Sequence, residues 1–401
     1  AVKELRELGV ISSELDIQGS VGSGAMVNAC AQGNINITEL LLAGGTNVKQ
    51  INKNYCLARA AENGHAEIVK LLLAMSGIEV NRSDKWTPLA LAADHGHVEV
   101  VKLLLAAPGI DVNEWKPLLR AAENGHAEVV KLLLAAPEID VNMGVEVFGS
   151  VIGGRLHTPL KYATINGHAE IVKLLVAAPG IDVNACDSLW IAAANGDAEV
   201  VKLLLAAPGI DVNVLVPLRH AAENGHTEVV KLLLAAPGID VNAGVPLSDA
   251  AARGHTEIVK LLLAAPGIDV NNGYPLAEAA KNGHAEVVKL LLAAPGIDVN
   301  KDMYIVEDGH GSTPLARAAE NGHTEVVKLL LAAPGIDINE GKNSPLSVAS
   351  SRGHTEVVKL LLATPGIDVN KVDEGGYTPL ESARWAGYTE IVNLLRAAGA
   401  Q

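Results

Sequence analysis

Thirteen histidines are the residues of this chain best suited to acid–base or metal chemistry, since an imidazole donates, accepts or ligates near neutral pH. Nine of them (His65, His97, His126, His168, His226, His255, His284, His323 and His354) follow a glycine at the same place in a recurring phrase. A residue repeated once per phrase serves the phrase, and the expected role is to satisfy backbone groups at a turn between helices. Asn34, Asp197 and Tyr388 stand at the same place in other copies, so the position tolerates change. His310, with Glu307 and Asp308, is the nearest approach to a metal or acid–base cluster. GxSxG, Walker A and HExxH motifs are absent, and Gly153-Gly154 lacks the order and the following helix of a dinucleotide loop. Cys30, Cys56 and Cys186 are odd in number and lack CxxC spacing, which argues against a disulfide framework or zinc site and for a reducing compartment. No catalytic, cofactor-binding or metal-binding residue is expected.

Composition narrows the class further. Of 401 residues 49% are hydrophobic but only 3% aromatic, so the interior must be Leu, Val, Ile and Ala, which suits thin, regular helix packing. A net charge of −15 without a Lys/Arg block repels phosphate backbones and anionic lipid, so nucleic acid is not an expected partner. The longest recurring apolar run, LLLAAPGI, is broken by Pro-Gly, and no membrane insertion is expected. The chain opens on Ala1 rather than Met, which leaves room for a removed signal or an upstream domain.

The elements that hold these residues repeat. VKLLL occurs nine times, within the longer phrase AAxNGHxEVVKLLLAAPGIDVN. Its NGH-type glycine falls at 33, 64, 96, 125, 167, 196, 225, 254, 283, 322, 353 and 387, which makes twelve units with five intervals of 29 residues and a longest of 42. In each, PLxxAAxx predicts a short helix opened by Pro and closed by Gly. HxEVVKLLLAA predicts a second helix, with Glu near its N-terminus and apolar residues over nearly its whole circumference. IDVN then predicts a loop back to the next Pro.

This helix-turn-helix-loop unit resembles the ankyrin repeat over roughly residues 25 to 400, with TPL kept at Thr87-Pro88-Leu89, Thr158-Pro159-Leu160, Thr313-Pro314-Leu315 and Thr378-Pro379-Leu380. The resemblance implies an all-α, ankyrin-type helix-turn-helix solenoid with short or reduced β-hairpin loops. The array is expected over 25–401, with insertions at 143–158 and 301–313. Residues 1–24 would be a leading helix (1–9) and connection, a partial repeat or cap. Two departures stand out: Ala90, Lys161, Ala316 and Glu381 replace the family's His after TPL, and 29-residue intervals fall short of its usual length of about 33. Asn393 and Arg396 make the outer helix of the last unit more polar, as a terminal repeat requires.

Where a constant body carries variable positions, the variable ones are the natural place for recognition. They are the connections before each Pro and the two first-helix residues after PL, which in the ankyrin family line a concave, partner-binding face. Partner contact is therefore expected at Trp115, Phe148, Tyr162, Trp190, Leu215, Arg219, His220, Asp249, Tyr274, Glu278, Tyr304 and Arg317. The short-loop run 186–275, on the order of 40 Å long, reads as a notch between the two insertions, and each insertion can form a strand or hairpin. The resulting expectation is a monomeric, cytoplasmic, non-catalytic scaffold or inhibitor for a protein partner. The alternative is a substrate-recruiting or regulatory array of a larger enzyme, or of an effector delivered into a host cytosol.

Overall fold

The computed structural model describes residues 20–43, 50–82, 86–146, 156–305, 310–341 and 344–401. Among these residues twelve helix pairs follow one another. The first helices are α1 Ser20–Ala31, α3 Gln50–Glu62, α5 Pro88–Asp94, α7 Pro117–Glu123, α9 Pro159–Ile165, α11 Ser188–Asn195, α13 Pro217–Glu223, α15 Pro246–Arg253, α17 Pro275–Lys281, α19 Pro314–Glu320, α21 Pro345–Arg352 and α23 Pro379–Ala386. The second helices are α2 Ile35–Ala43, α4 Ala66–Leu73, α6 Val98–Leu105, α8 Ala127–Leu134, α10 Ala169–Val176, α12 Ala198–Leu205, α14 Thr227–Leu234, α16 Thr256–Leu263, α18 Ala285–Leu292, α20 Thr324–Leu331, α22 Thr355–Leu362 and α24 Thr389–Ala397. Helix α1 takes in residues 20–24, expected as connection, while the expected helix over 1–9 lies outside the described residues. The chain forms two compact bodies, residues 1–192 with 199–211 and residues 193–198 with 212–401. Within each, first helices stack on first helices and second on second, and the first-helix stack is the tighter of the two.

The local code is legible residue by residue. Pro opens nine of the first helices, where its missing N–H costs nothing. In the longer connections Thr87, Thr158, Thr313, Ser344 and Thr378 cap the helix, each side chain accepting a backbone N–H three residues on. In the short connections Lys116, Val216, Val245 and Tyr274 hold that place with φ of 58°, 51°, 61° and 64° and no side-chain cap. Left-handed backbone costs a β-branched residue about 1–2 kcal/mol, so shortening the loop replaces a cap with strain.

Second helices bury one face rather than their circumference. In α14 only Val229, Val230 and Leu233 are buried, while Leu232 and Leu234 stay half-exposed. One flank faces water, where Lys231 pairs with Glu228 at 3.3 Å and Lys289 with Glu286 at 2.6 Å. Such exposed pairs contribute only tenths of a kcal/mol, so burial of the aliphatic face carries the packing.

Two ladders link successive units. The Nε2–H of each repeated histidine donates to a carbonyl at the end of the preceding first helix: His97 to Glu62 at 2.9 Å, His255 to Glu223 at 3.0 Å, His354 to Glu320 at 2.9 Å. These carbonyls have no partner within their own helix. On the other edge the IDVN asparagine bonds the next unit's turn twice, as Asn242 donates to the Gly267 carbonyl and accepts from the Asp269 N–H, both at 2.8 Å. The same pair recurs from Asn81 to Asn339.

Both insertions are rooted in antiparallel pairs, β1 Val145–Glu146 with β2 Leu156–His157 and β3 Met303–Ile305 with β4 His310–Ser312, as the hairpin expectation requires. Residues 147–155 and 306–309 lie outside the described residues.

The histidine ladder runs over glycines that admit no side chain. A Cβ on Gly254 (φ 74°) would meet His284 Nδ1 at 2.6 Å, whereas one on Gly267 (φ 78°) would meet nothing within 4 Å. Gly267→Ala should therefore cost about 1 kcal/mol from backbone alone, and Gly254→Ala at least ~1 kcal/mol more because the ring must shift. Urea unfolding of the two variants measures the difference; equal losses would mean the ring yields freely.

Candidate functional site

The residues with chemical potential are absorbed by the scaffold. All nine repeated histidines are ladder rungs, and no group of three or more metal-ligating side chains forms among the described residues. His310 lies in β4, while Glu307 and Asp308 fall outside the described residues. Cys30, Cys56 and Cys186 are free and buried; burial pushes the Cys186 thiol up, and Cys30 together with burial does the same to Cys56. The proton affinity of His97 is displaced. Burial lowers it, the Glu62 carbonyl partly opposes this, and His95, stacked on it at 5.9 Å, lowers it further together with His126 and His65.

The first-helix pair after PL does not face outward as a pair. Its first member is buried in most units, as at Leu119, Lys161, Ser248, Ala277, Ala316 and Ser347. In a helix of seven residues opened by Pro-Leu, that position lies against the neighbouring first helix, so the second member is the accessible one. Tyr162, His220, Asp249, Glu278 and Arg317 accordingly show partial exposure. Trp190 and Arg219, both first members, are half-exposed exceptions. Burial and the neighbouring Arg219 lower the His220 proton affinity.

Several of these side chains already have partners within the chain. Arg219 Nε donates to Asp249 Oδ2 at 2.7 Å, and Arg317 pairs with Glu320 at 3.5 Å. Tyr162 meets His157 edge-on at 5.4 Å between centroids. Lys301 Nζ lies 5.4 Å from the Tyr274 ring centroid, and the Arg120 guanidinium lies 4.6 Å from that of Trp86. Leu215 is half-buried with φ 57°. Tyr304 lies in β3, and Phe148 lies outside the described residues. Of the residues expected in the 186–275 run, Trp190 belongs to the first body, and Arg219, His220, Asp249, Tyr274 and Glu278 belong to the second.

Trp115 differs from all of these. It is 50% exposed, has φ 61°, and lines a cleft of about 420 Å³. Its counterparts two residues before Pro217, Pro246 and Pro275 are Leu215, Gly244 and Gly273, at φ 57°, 73° and 74°, glycine being the residue that takes this backbone without penalty. Site reasoning from sequence passed over Trp385, 86% exposed, which with Tyr377, Ser351 and Ser382 lines a second cleft of about 480 Å³. Its signal was present in the sequence: a Trp near the end of the first helix, where other units carry Glu, Asp, Ala, Lys, Ile or Ser.

A family model described as ankyrin repeats (3 copies) matches residues 2–84, 25–114, 57–145, 110–187, 189–274, 247–342 and 338–401. Among solved structures, the human ASB11 ankyrin repeat domain is similar at 27% identity, over 52% of this chain and 96% of that one, with a TM-score of 0.45. No curated protein matches. No described helix is long and apolar enough to cross a membrane.

The depressed proton affinity of His97 carries a pH signature. The unfolded chain, with His near 6.5, binds this proton more readily than the folded chain. Stability from His97 is thus complete above about pH 6.5 and is lost as pH falls through that value toward the lower folded one. The urea midpoint should fall between pH 7.5 and pH 5.5, less steeply in His97→Gln, and an unchanged slope in that variant would clear His97 of the effect.

Proposed function

The chain belongs to the ankyrin repeat family, and on that premise we propose that it is a non-catalytic scaffold or inhibitor that binds a protein partner through first-helix side chains and loop tips. Ankyrin repeats serve protein–protein interaction. The finer reading assigns contact to Trp115, Tyr162, Trp190, Leu215, Arg219, His220, Asp249, Tyr274, Glu278 and Arg317, with Phe148 and Tyr304 in the insertions. It also takes the chain to act as a monomer in a reducing, cytoplasmic setting.

One observation supports this reading most. Folding uses the histidines and asparagines, yet the chain places an exposed indole at Trp115, where two other short-connection units carry Gly244 and Gly273 and a third carries the half-buried Leu215. What sets Trp115 apart from the other left-handed residues is an exposed indole, and Trp is enriched among interface anchors. The array brings a second advantage, since a pre-stacked surface loses little freedom on binding.

Trp115→Gly separates the two roles of this residue. Removing the side chain relieves left-handed strain, so the urea midpoint should hold or rise. Recovery of the parent chain's partner from lysate, by affinity capture and mass spectrometry, should fall about tenfold or more, the loss of one anchor. Undiminished recovery, or a marked loss of stability, would make Trp115 a loop cover instead.

A further inference from the structure

The cleft at Trp115 carries more information than the exposure of one ring. It is bounded by residues 78–82, 108–109 and 114–115, with Glu79, Arg82, Pro108 and Glu114 around the indole. Two of its charges are committed: Arg82 pairs with Glu79 at 3.0 Å, and the same Glu79 carboxylate accepts from Asn54 Nδ2 at 3.0 Å. Glu114 is exposed and meets no cation among the described residues. An open indole and an uncommitted carboxylate therefore stand side by side.

The chain shows what such a ring takes. Trp86 also stands two residues before its Pro, and Arg120, the third residue after the next unit's Pro, lies over it at 4.6 Å while pairing with Glu123 at 3.0 Å. The residue in Arg120's place one unit later is Tyr162, which is engaged with His157. No cation of the described chain lies over Trp115. The connections also differ: Trp86 precedes a Thr-capped helix start, whereas Trp115 and Lys116 are both left-handed.

We infer that the Trp115 cleft is a socket for an arginine side chain of a protein partner, its guanidinium over the indole and its charge met by Glu114. The inference rests on the reading of Trp115 as partner-facing and adds the chemistry of what it faces. Arginine fits better than lysine because a planar, weakly hydrated guanidinium stacks on an indole and still donates to a carboxylate, whereas a compact ammonium keeps its water. The excess of acidic side chains adds attraction for a basic segment at low salt.

The test uses the whole chain labelled with 5-fluorotryptophan, with the Trp115 resonance assigned from Trp115→Phe. The probe is the capped tripeptide Ala-Arg-Ala, compared with Ala-Lys-Ala and Ala-norleucine-Ala. The arginine peptide should move the Trp115 resonance saturably and leave that of Trp86, whose face is occupied, in place. Lysine should bind about threefold or more weakly and norleucine more weakly still, and Glu114→Gln should weaken the arginine peptide about threefold. Equal response to norleucine would make the cleft merely apolar, and no saturable shift, or equal shifts of all four tryptophans, would leave it without a socket; each overturns the inference. The two readings fail separately. Partner recovery lost in Trp115→Gly without an arginine response sinks the socket alone, and an arginine response with undiminished recovery sinks the partner-facing role.

Discussion

Nine of the twelve units share one close approach: an imidazole from one repeat lies over the glycine that ends the preceding first helix and donates to a carbonyl two residues before that glycine. Three requirements meet there. The glycine supplies left-handed backbone to stop the helix, its missing Cβ makes room for the ring, and the ring satisfies an acceptor that the helix leaves open. Where it recurs, the contact ties each second helix to the first helix of the preceding unit.

Much of this was legible in the sequence, and the exceptions have physical reasons. Repetition exposed the units, and the Pro and Gly punctuation set their helix boundaries, because those residues act through their own backbone. The recurrence of His at one place marked it as structural, although its acceptor proved to lie in the preceding repeat rather than in its own turn. The asparagine ladder was missed. Asn in PGIDVN reads as a turn residue, and its partners lie 25 to 40 residues ahead at a separation that changes with each loop.

Side-chain exposure was the least legible property. In a seven-residue helix the angle between two adjacent positions decides which one meets a neighbour, and PLxx does not declare it. Hence Leu119 and Ala277 turned out buried while Tyr162 and Glu278 did not. The left-handed residues before proline were equally hidden, since Val216 and Val245 are the types least suited to that backbone. Only the tertiary stack holds them there, and it also explains why an indole at Trp115 can survive where glycine would fold with less strain.

The asparagine ladder has a consequence for how such a chain can change. Asn113 reaches the next turn across 25 residues and Asn142 across 38, yet both bonds measure 2.8 Å. The contact registers the presence of a following unit and ignores the length of chain looped out between. Whole units can be copied in tandem, and loops lengthened between them, without retuning any existing residue. Novelty in this protein therefore accumulates by accretion at the seams, where a new loop is answerable to nothing but whatever binds it.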